Sequence, residues 1–424
     1  MTAPSAFGFA ARRVVTCDAA RASADDPLGV IEDGAVVVEG GKVAWVGPRR
    51  DAPAGGSLED CGDVVLTPGL VDAHTHACWV GSRHAEYAVR MAGGDYEAIA
   101  KAGGGIVSSH AAVAAASEDA LADALRSRLG RMAALGVTCV EVKSGYGLEP
   151  EHEEKQLRAI AQAGTSAYLP AVVPTLLALH ALPLRVRDAG AAARAAYVER
   201  VAKELVPAIA RAKLARFCDA YVDANAFRVD EARMVGEAAR AAGLAIRLHV
   251  GQFADVGGAD LCAALGARSA DHLEHVSDEG IALLAAAGTS AVLLPTASFT
   301  LGQPPPPVAR LREAGVPLVV ASDANPGTAP TESLPLAMAF AVRSYGLTPV
   351  EAILGGTRLA AATLDEPGRG VLRVGAHADL VVWDLVHELA IVQPWGTGRA
   401  RLVLRDGVVL HSSSARSGAA ERAT

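Results

Sequence analysis

Two histidines one residue apart, His74 and His76 in VDAHTH, stand where an apolar run ends. Alternate residues of a strand project to the same side, so both imidazoles can converge on one cation, and neutral imidazole is the commonest nitrogen donor for zinc-like metals. Such a pair carries little weight alone, because surface and core histidines outnumber ligands. Context raises it: His249 closes AIRLHV, His272 closes SADH and Asp323 follows LVVAS. Apolar runs that each deliver a polar residue at the same end describe a metal-dependent site. A bound divalent ion there would lower the pKa of a water and polarise a carbonyl. Asp323 can serve both as ligand and as the base that moves a proton, and His272 can hydrogen-bond the attacking water or the developing oxyanion.

The elements that must position these residues are legible as eight apolar runs: LVDAHTH, TCVEVKS, AYLPAVVPT, RFCDAYVD, AIRLHVG, SADHLEH, AVLLPT and LVVASDAN. Ala-rich amphipathic stretches separate them, the pattern of βα repetition around a parallel sheet. Eight such units predict an α/β fold of the TIM (β/α)8 barrel type, in which the chemistry sits at the C-terminal ends of the strands. Before residue 66 and after about residue 370 the texture changes to short strands and turns, with AVVVEGGKVAWVG reading as a hairpin about Gly40-Gly41. The expected organisation is therefore a small β domain built from both chain ends, 1–66 and 358–424, around a barrel spanning 67–357.

The chain has 424 residues, 51% of them apolar, enough for a large core. Acidic residues number 47 against 39 basic, a net charge of −8, and no basic stripe runs along any segment, which argues against nucleic acid as a partner. The six cysteines, Cys17, Cys61, Cys78, Cys139, Cys218 and Cys262, include no CxxC pair, which suits a reducing cytoplasm rather than a disulfide scaffold. The N-terminus carries no signal-peptide pattern. Ile281–Leu301 is uncharged over a length that could span a bilayer, but Gly288 and Pro295 divide it into a helix end and a buried strand, so no membrane segment is expected. Gln303–Pro307 reads as a loop or helix entry. Gly103-Gly104-Gly105 lacks the GK[ST] of a phosphate loop and reads as a flexible loop at the barrel mouth.

PGLVDAHTH, the strand-five histidine, ADH, SDxNPG and the late GxxxxGxxADLVVWD together resemble the amidohydrolase superfamily of metal-dependent hydrolases. Within it, GSR followed by AGGGI, then VKSGYGL, VGGADL with SADHLEH, and SDANPGTAPTES resemble the imidazolonepropionase family, which opens a cyclic amide in histidine degradation. The likeness runs from about Thr67 to Leu385. Binuclear members of the superfamily use a carboxylated lysine on strand four; that strand has none here, while Lys143 lies on strand two. The resemblance thus implies one divalent ion, zinc or iron, held by His74, His76, His249 and Asp323. It also implies a small-molecule substrate with a carboxylate arm, received by Arg83, Tyr96, Tyr146 and His180, with Asn325 as a further contact. It admits a homodimer, for which no interface is legible.

One position departs from the family. Where members read HADE, this chain reads HVGQ, placing Gln252 at the family's glutamate; LALHA likewise replaces GAHA around His180. A glutamine keeps the length and the hydrogen bonds but cannot act as a base. Three readings stay open: the family reaction, with Asp323 carrying the base role and Gln252 orienting the ring; a sister hydrolase acting on an oxo- or thioxo-substituted ring; and a homologue that binds metal and ligand without turnover.

Overall fold

The computed structural model describes residues 6–54, 56–94, 105–393 and 395–413. Tyr96, Gly103 and Gly104 lie outside the described residues.

All eight runs form parallel strands in sequential order. They are β1 Leu70–Asp72, β2 Val137–Lys143, β3 Ala171–Leu179, β4 Phe217–Val222, β5 Ala245–Val250, β6 Ser269–His272, β7 Ser290–Leu293 and β8 Leu318–Val320. A parallel bridge between Thr75 and Ala324, just beyond β1 and β8, joins the first strand to the last. Five strands differ from their sequence expectations by three residues or more. β1 ends at Asp72, four residues before His76, and β6 at His272, three before His275. β3 starts and ends four residues later than AYLPAVVPT predicts, after a turn that leads into Pro170. β7 stops at Leu293 because Pro295 opens a short helix, Pro295–Leu301. In β8 the pairing ends at Val320, and Ser322–Asn325 continues as irregular backbone at the mouth.

Each connecting helix buries one stripe. In Glu118–Ala133, Ser117 caps the first turn by accepting from Ala120 N, and Leu121, Leu125 and Leu129 recur at four-residue spacing, fully buried. Burial of each such leucine contributes roughly 2 kcal/mol. Among the described residues no helix is long and apolar enough to cross a membrane. Ile281–Leu301 divides into the end of helix Asp278–Ala287, β7 and the short helix.

Inside the barrel the same strand faces change character with height. Every second residue points inward, so Phe217 is followed by Asp219 and Tyr221, Cys139 by Glu141 and Lys143, and Ala245 by Arg247 and His249. The lower layer is apolar, with Val71, Cys139, Val173, Phe217, Val292 and Val319 in one buried cluster. The layer above it is charged.

Both chain ends build the second sheet. Val65–Pro68, entering from the N-terminal side, pairs antiparallel with Leu380–Trp383 from the C-terminal side. Phe7–Val15, Val30–Glu39 and Lys42–Pro48 extend it one way and Ala400–Arg405 and Val408–Ser412 the other. Gly40 and Gly41 both take positive φ, 58° and 78°, as the two-residue hairpin between Glu39 and Lys42 requires. The sheet is fastened to the barrel at Trp383, whose indole donates to Thr67 Oγ1 at 2.8 Å and packs so closely on Gly136 that a Cβ there would lie 2.5 Å from the ring. All six cysteines are buried free thiols, and burial pushes those of Cys17 and Cys61 up to about 11.

Candidate active site

At the C-terminal ends of β1 and β5, a ligand nitrogen from each of His74, His76 and His249 lies within 4.8 Å of the other two. Their rings are steeply inclined to one another, with centroids 4.5 Å apart for His74 and His249 and 5.3 Å for the other two pairs. Asp323, at the end of β8, brings Oδ1 to 3.6 Å from His74 Nε2 and 3.5 Å from His76 Nε2. His272 joins from β6, its ring 5.6 Å from that of His249.

His74, His76, His249 and Asp323 fit a divalent cation. His74 donates from Nδ1 to Asp271 Oδ2 at 2.6 Å, which fixes the tautomer and leaves the Nε2 lone pair facing inward, where it is buried without a protein partner. His249 is held in the same way, with Nδ1 3.0 Å from Asp219 Oδ2. Burial drives His74, His76 and His249 well below the usual imidazole range, so all three are neutral donors. Lys143 is an ammonium locked to Glu141 and Asp219 at 2.7 Å each, on β2, and so is engaged as a cation.

Backbone strain concentrates here. His272 and Leu273 take φ of 86° and 72° and Asp323 takes 55°, all in the left-handed region where a side chain costs energy. Asp323 N–H donates to His74 O at 3.1 Å and His76 N–H to Ala324 O at 3.0 Å, so the bent end of β8 is stitched to the histidine strand.

Of the residues expected to contact substrate, Arg83, Tyr146, His180, Gln252 and Asn325 are among those described. His180, at the end of β3, stacks on His76 with centroids 5.2 Å apart, and its Nδ1 lies 2.7 Å from Gly145 O; burial pulls its pKa down to about 4. Tyr146 lies 5.4 Å from the same ring. Arg83 pairs with Glu86 through Nε at 2.7 Å and Nη2 at 2.5 Å, while Nη1 lies against Gly327, where a Cβ would approach to 2.4 Å. Asn325 is spent locally: its amide donates to Asp323 O and Thr328 Oγ1, and its Oδ1 accepts from the backbone of Gly327, Thr328 and Ala329. Gln252 Oε1 accepts from Tyr221 OH at 2.8 Å. His275 follows in the same stretch with its side chain exposed, and its backbone N–H donates to Gly251 O at 2.9 Å.

Several working residues escaped sequence reasoning. Glu153 and Gln156, on helix Pro150–Gly164, accept from the backbone of Gly145, Tyr146, Gly147 and Leu148 and so shape the loop that carries Tyr146. Glu274 lies 3.7 Å from His272 Nδ1 and accepts from Ser298 at 2.6 Å. Tyr221, Asp219 and Asp271 anchor site residues from behind. The available signal was polar residues at alternate positions inside apolar strand runs, as in FCDAYV and AIRLHV.

The amidohydrolase family model matches residues 65–410. Imidazolonepropionase of Ralstonia nicotianae is 44% identical over 387 residues, covering 90% of this chain and 94% of that protein. The one from Shewanella amazonensis is 40% identical over 92% of this chain and 96% of its own length. Among solved structures, an adenosine deaminase from Xanthomonas campestris with bound zinc superposes with a TM-score of 0.69 at 19% identity, covering 95% of this chain and 92% of that one. The zinc complex of atrazine chlorohydrolase from Arthrobacter aurescens gives 0.66 at 16%, covering 96% and 95%. The structural likenesses speak for the barrel and its appended sheet. The sequence likeness extends across both, so the chain belongs to the amidohydrolase family, alongside the imidazolonepropionases.

Proposed function

We propose that the protein hydrolyses the cyclic amide C–N bond of 4-imidazolone-5-propanoate to give N-formimino-L-glutamate, using one divalent ion, zinc or iron, held by His74, His76, His249 and Asp323. The observation that carries this reading is the convergence of three neutral imidazoles and one carboxylate at a single buried point, in a chain 44% identical to an imidazolonepropionase over nine tenths of its length. The donor set, three nitrogens and one oxygen, suits either metal.

When bound, the ion would supply Lewis acidity, acidifying a water and polarising the ring carbonyl. Asp323 is the proton carrier: it takes the proton of the attacking water and delivers it to the leaving ring nitrogen. A carboxylate that touches the attacking water can accept its proton and release it to the leaving nitrogen. His272, held above the ordinary imidazole range by Glu274 against the opposing effect of burial, donates to the developing oxyanion. Arg83 Nη1, Tyr146 and His180 receive the propionate, with Tyr96 as a further contact. Asn325 acts by folding the 325–329 loop over Arg83, a positioning role in place of the direct contact expected from sequence. Gln252 presents its carboxamide to the ring.

A specific observation favours a second reading. Because Tyr221 donates to Gln252 Oε1, the group that Gln252 keeps for a ligand is its NH2 donor, which would suit a ring bearing an oxo or thioxo acceptor. The test is decay of freshly generated imidazolonepropionate by metal-loaded protein beside Asp323→Asn. Turnover by the wild type, lost in the variant, is the expected result. An inert wild type that turns over an oxo- or thioxo-imidazolidine propionate would overturn the first reading in favour of the second.

A further inference from the structure

Behind the histidines runs an unbroken chain of buried charge. His249 rests on Asp219, and Asp219 accepts from Lys143 Nζ at 2.7 Å. Lys143 also donates to Glu141 at 2.7 Å. Glu141 lies 3.4 Å from Arg247 Nε, and Arg247 reaches Asp271 at 3.5 Å. Asp271 in turn accepts from His74 at 2.6 Å. Five charges alternate in sign along the path between two histidines that stand on different strands, and the side chains of all five are fully buried.

A TIM-barrel interior is ordinarily filled with branched apolar side chains, and the layer directly below this one is. Replacing such packing with five charges brings a large desolvation cost and little net stability. Its retention calls for another purpose, and the ends of the chain supply one: each terminates on the Nδ1 of a histidine whose Nε2 faces the cation position. Three carboxylates against two cations leave one net negative charge, which favours imidazole N–H donation towards the network and lone pairs towards the site.

We propose that Glu141, Lys143 and Arg247 are positioning residues which tie the two histidine anchors, Asp219 and Asp271, into one device that fixes His74 and His249 together. Glu141 is its centre, touching both cations and accepting also from Thr175 Oγ1 at 2.6 Å. Neutralising Glu141 leaves Lys143 and Arg247 to compete for Asp219 and Asp271, so both histidines loosen at once although neither is touched. The inference rests on the metal-site reading above, but not on the substrate.

The test is zinc affinity, measured by competition with a chromophoric chelator, and the visible spectrum of the cobalt-substituted protein. Both are compared for wild type, Glu141→Gln and Asp379→Asn. The last removes the charge of a buried carboxylate paired with Arg369 at 2.5 Å among the residues of the end sheet, and so reports the effect of lost stability alone. Glu141→Gln is expected to weaken zinc binding ~10–100-fold and to shift the cobalt spectrum, with Asp379→Asn near wild type. A folded Glu141→Gln protein with unchanged affinity and spectrum, or an equal loss in Asp379→Asn, overturns the proposal. If Glu141→Gln does not fold, Thr175→Val removes one hydrogen bond to the same carboxylate and should weaken zinc severalfold; no change there also overturns it. A wild type that binds neither metal at its histidines would sink the metal-site reading itself, a result distinct from equal binding by wild type and variant.

Discussion

The Tyr221 hydroxyl donates to Gln252 Oε1 at 2.8 Å, joining the end of β4 to the residue that departs from the family pattern. The phenol ring lies 5.9 Å from the His249 ring, so the pair is built against the histidine cluster. Gln252 is held from a second side, where its backbone carbonyl accepts from Gln303 Nε2 at 2.9 Å. The carboxamide is thereby oriented in advance, with its oxygen committed and its NH2 directed elsewhere.

Tyr221→Phe keeps the ring and removes the hydroxyl. One hydrogen bond of this kind is worth about 0.5–1.5 kcal/mol, so kcat/KM for the preferred ring should fall up to about tenfold while the fold persists. Gln252→Glu should depend on the same hydroxyl, and a double-mutant cycle between the positions should return a coupling of at least about 0.5 kcal/mol. Additive effects would show that Tyr221 does not orient Gln252.

Gly327 is the ceiling over Arg83. An added Cβ would lie 2.4 Å from Nη1 and 2.5 Å from Cζ, and the guanidinium, as the end of a flexible side chain, would yield. Gly327→Ala should leave thermal stability within a degree or two and raise KM by about tenfold with kcat less affected, the signature of lost ground-state binding. An unchanged KM would remove Arg83 from the carboxylate-binding group.

How much of this was legible in sequence follows from what sequence encodes. The eight strands were readable because alternating apolar runs and amphipathic stretches are local patterns, and the end sheet because both termini share a texture of short strands and turns. His74, His76, His249, His272 and Asp323 were readable because each stands at the end of such a run. The strand limits at β1, β3, β6, β7 and β8 were not, since proline turns and the point where a strand bends into the mouth leave no local pattern. Nor was the Lys143–Glu141–Arg247 network: its members lie about 100 residues apart between β2 and β5, and only closure of the barrel makes them neighbours. Asn325 reads as a polar residue beside the site, but its short-range contacts within the 323–329 loop become visible only in three dimensions.

Metal removal should act on stability as well as turnover. His74 Nε2 is a buried polar atom that lacks a protein partner. Supplying that partner stabilises the native state by mass action, about 4 kcal/mol at a ligand concentration a thousand times Kd. Chelator-treated protein should therefore unfold at a lower temperature than metal-loaded protein, and zinc or iron should restore both Tm and activity. A Tm indifferent to added metal in wild type would count against a cation at the histidines.

Asp72 offers a pH dependence opposite in sign to that of a salt-bridged carboxylate. It is fully buried at the end of β1, its Oδ1 accepting from Ser322 N at 3.0 Å and its Oδ2 without a partner, and burial raises its carboxyl to about 7. An unfolded aspartate titrates near 3.9. Between those values the folded protein holds a proton that the unfolded chain has released, so stability falls as pH rises. The contribution is intact below about pH 4 and is lost by the time pH passes 7, an upper bound of roughly 4 kcal/mol for a shift of this size. Glu153, likewise raised to about 7 by burial, works in the same direction. Asp72→Asn cannot ionise, so urea unfolding at pH 5 and pH 8 should show a smaller difference than wild type, with the variant relatively favoured at the higher pH. A wild-type difference retained in full by Asp72→Asn would mean that Asp72 takes up no proton on folding.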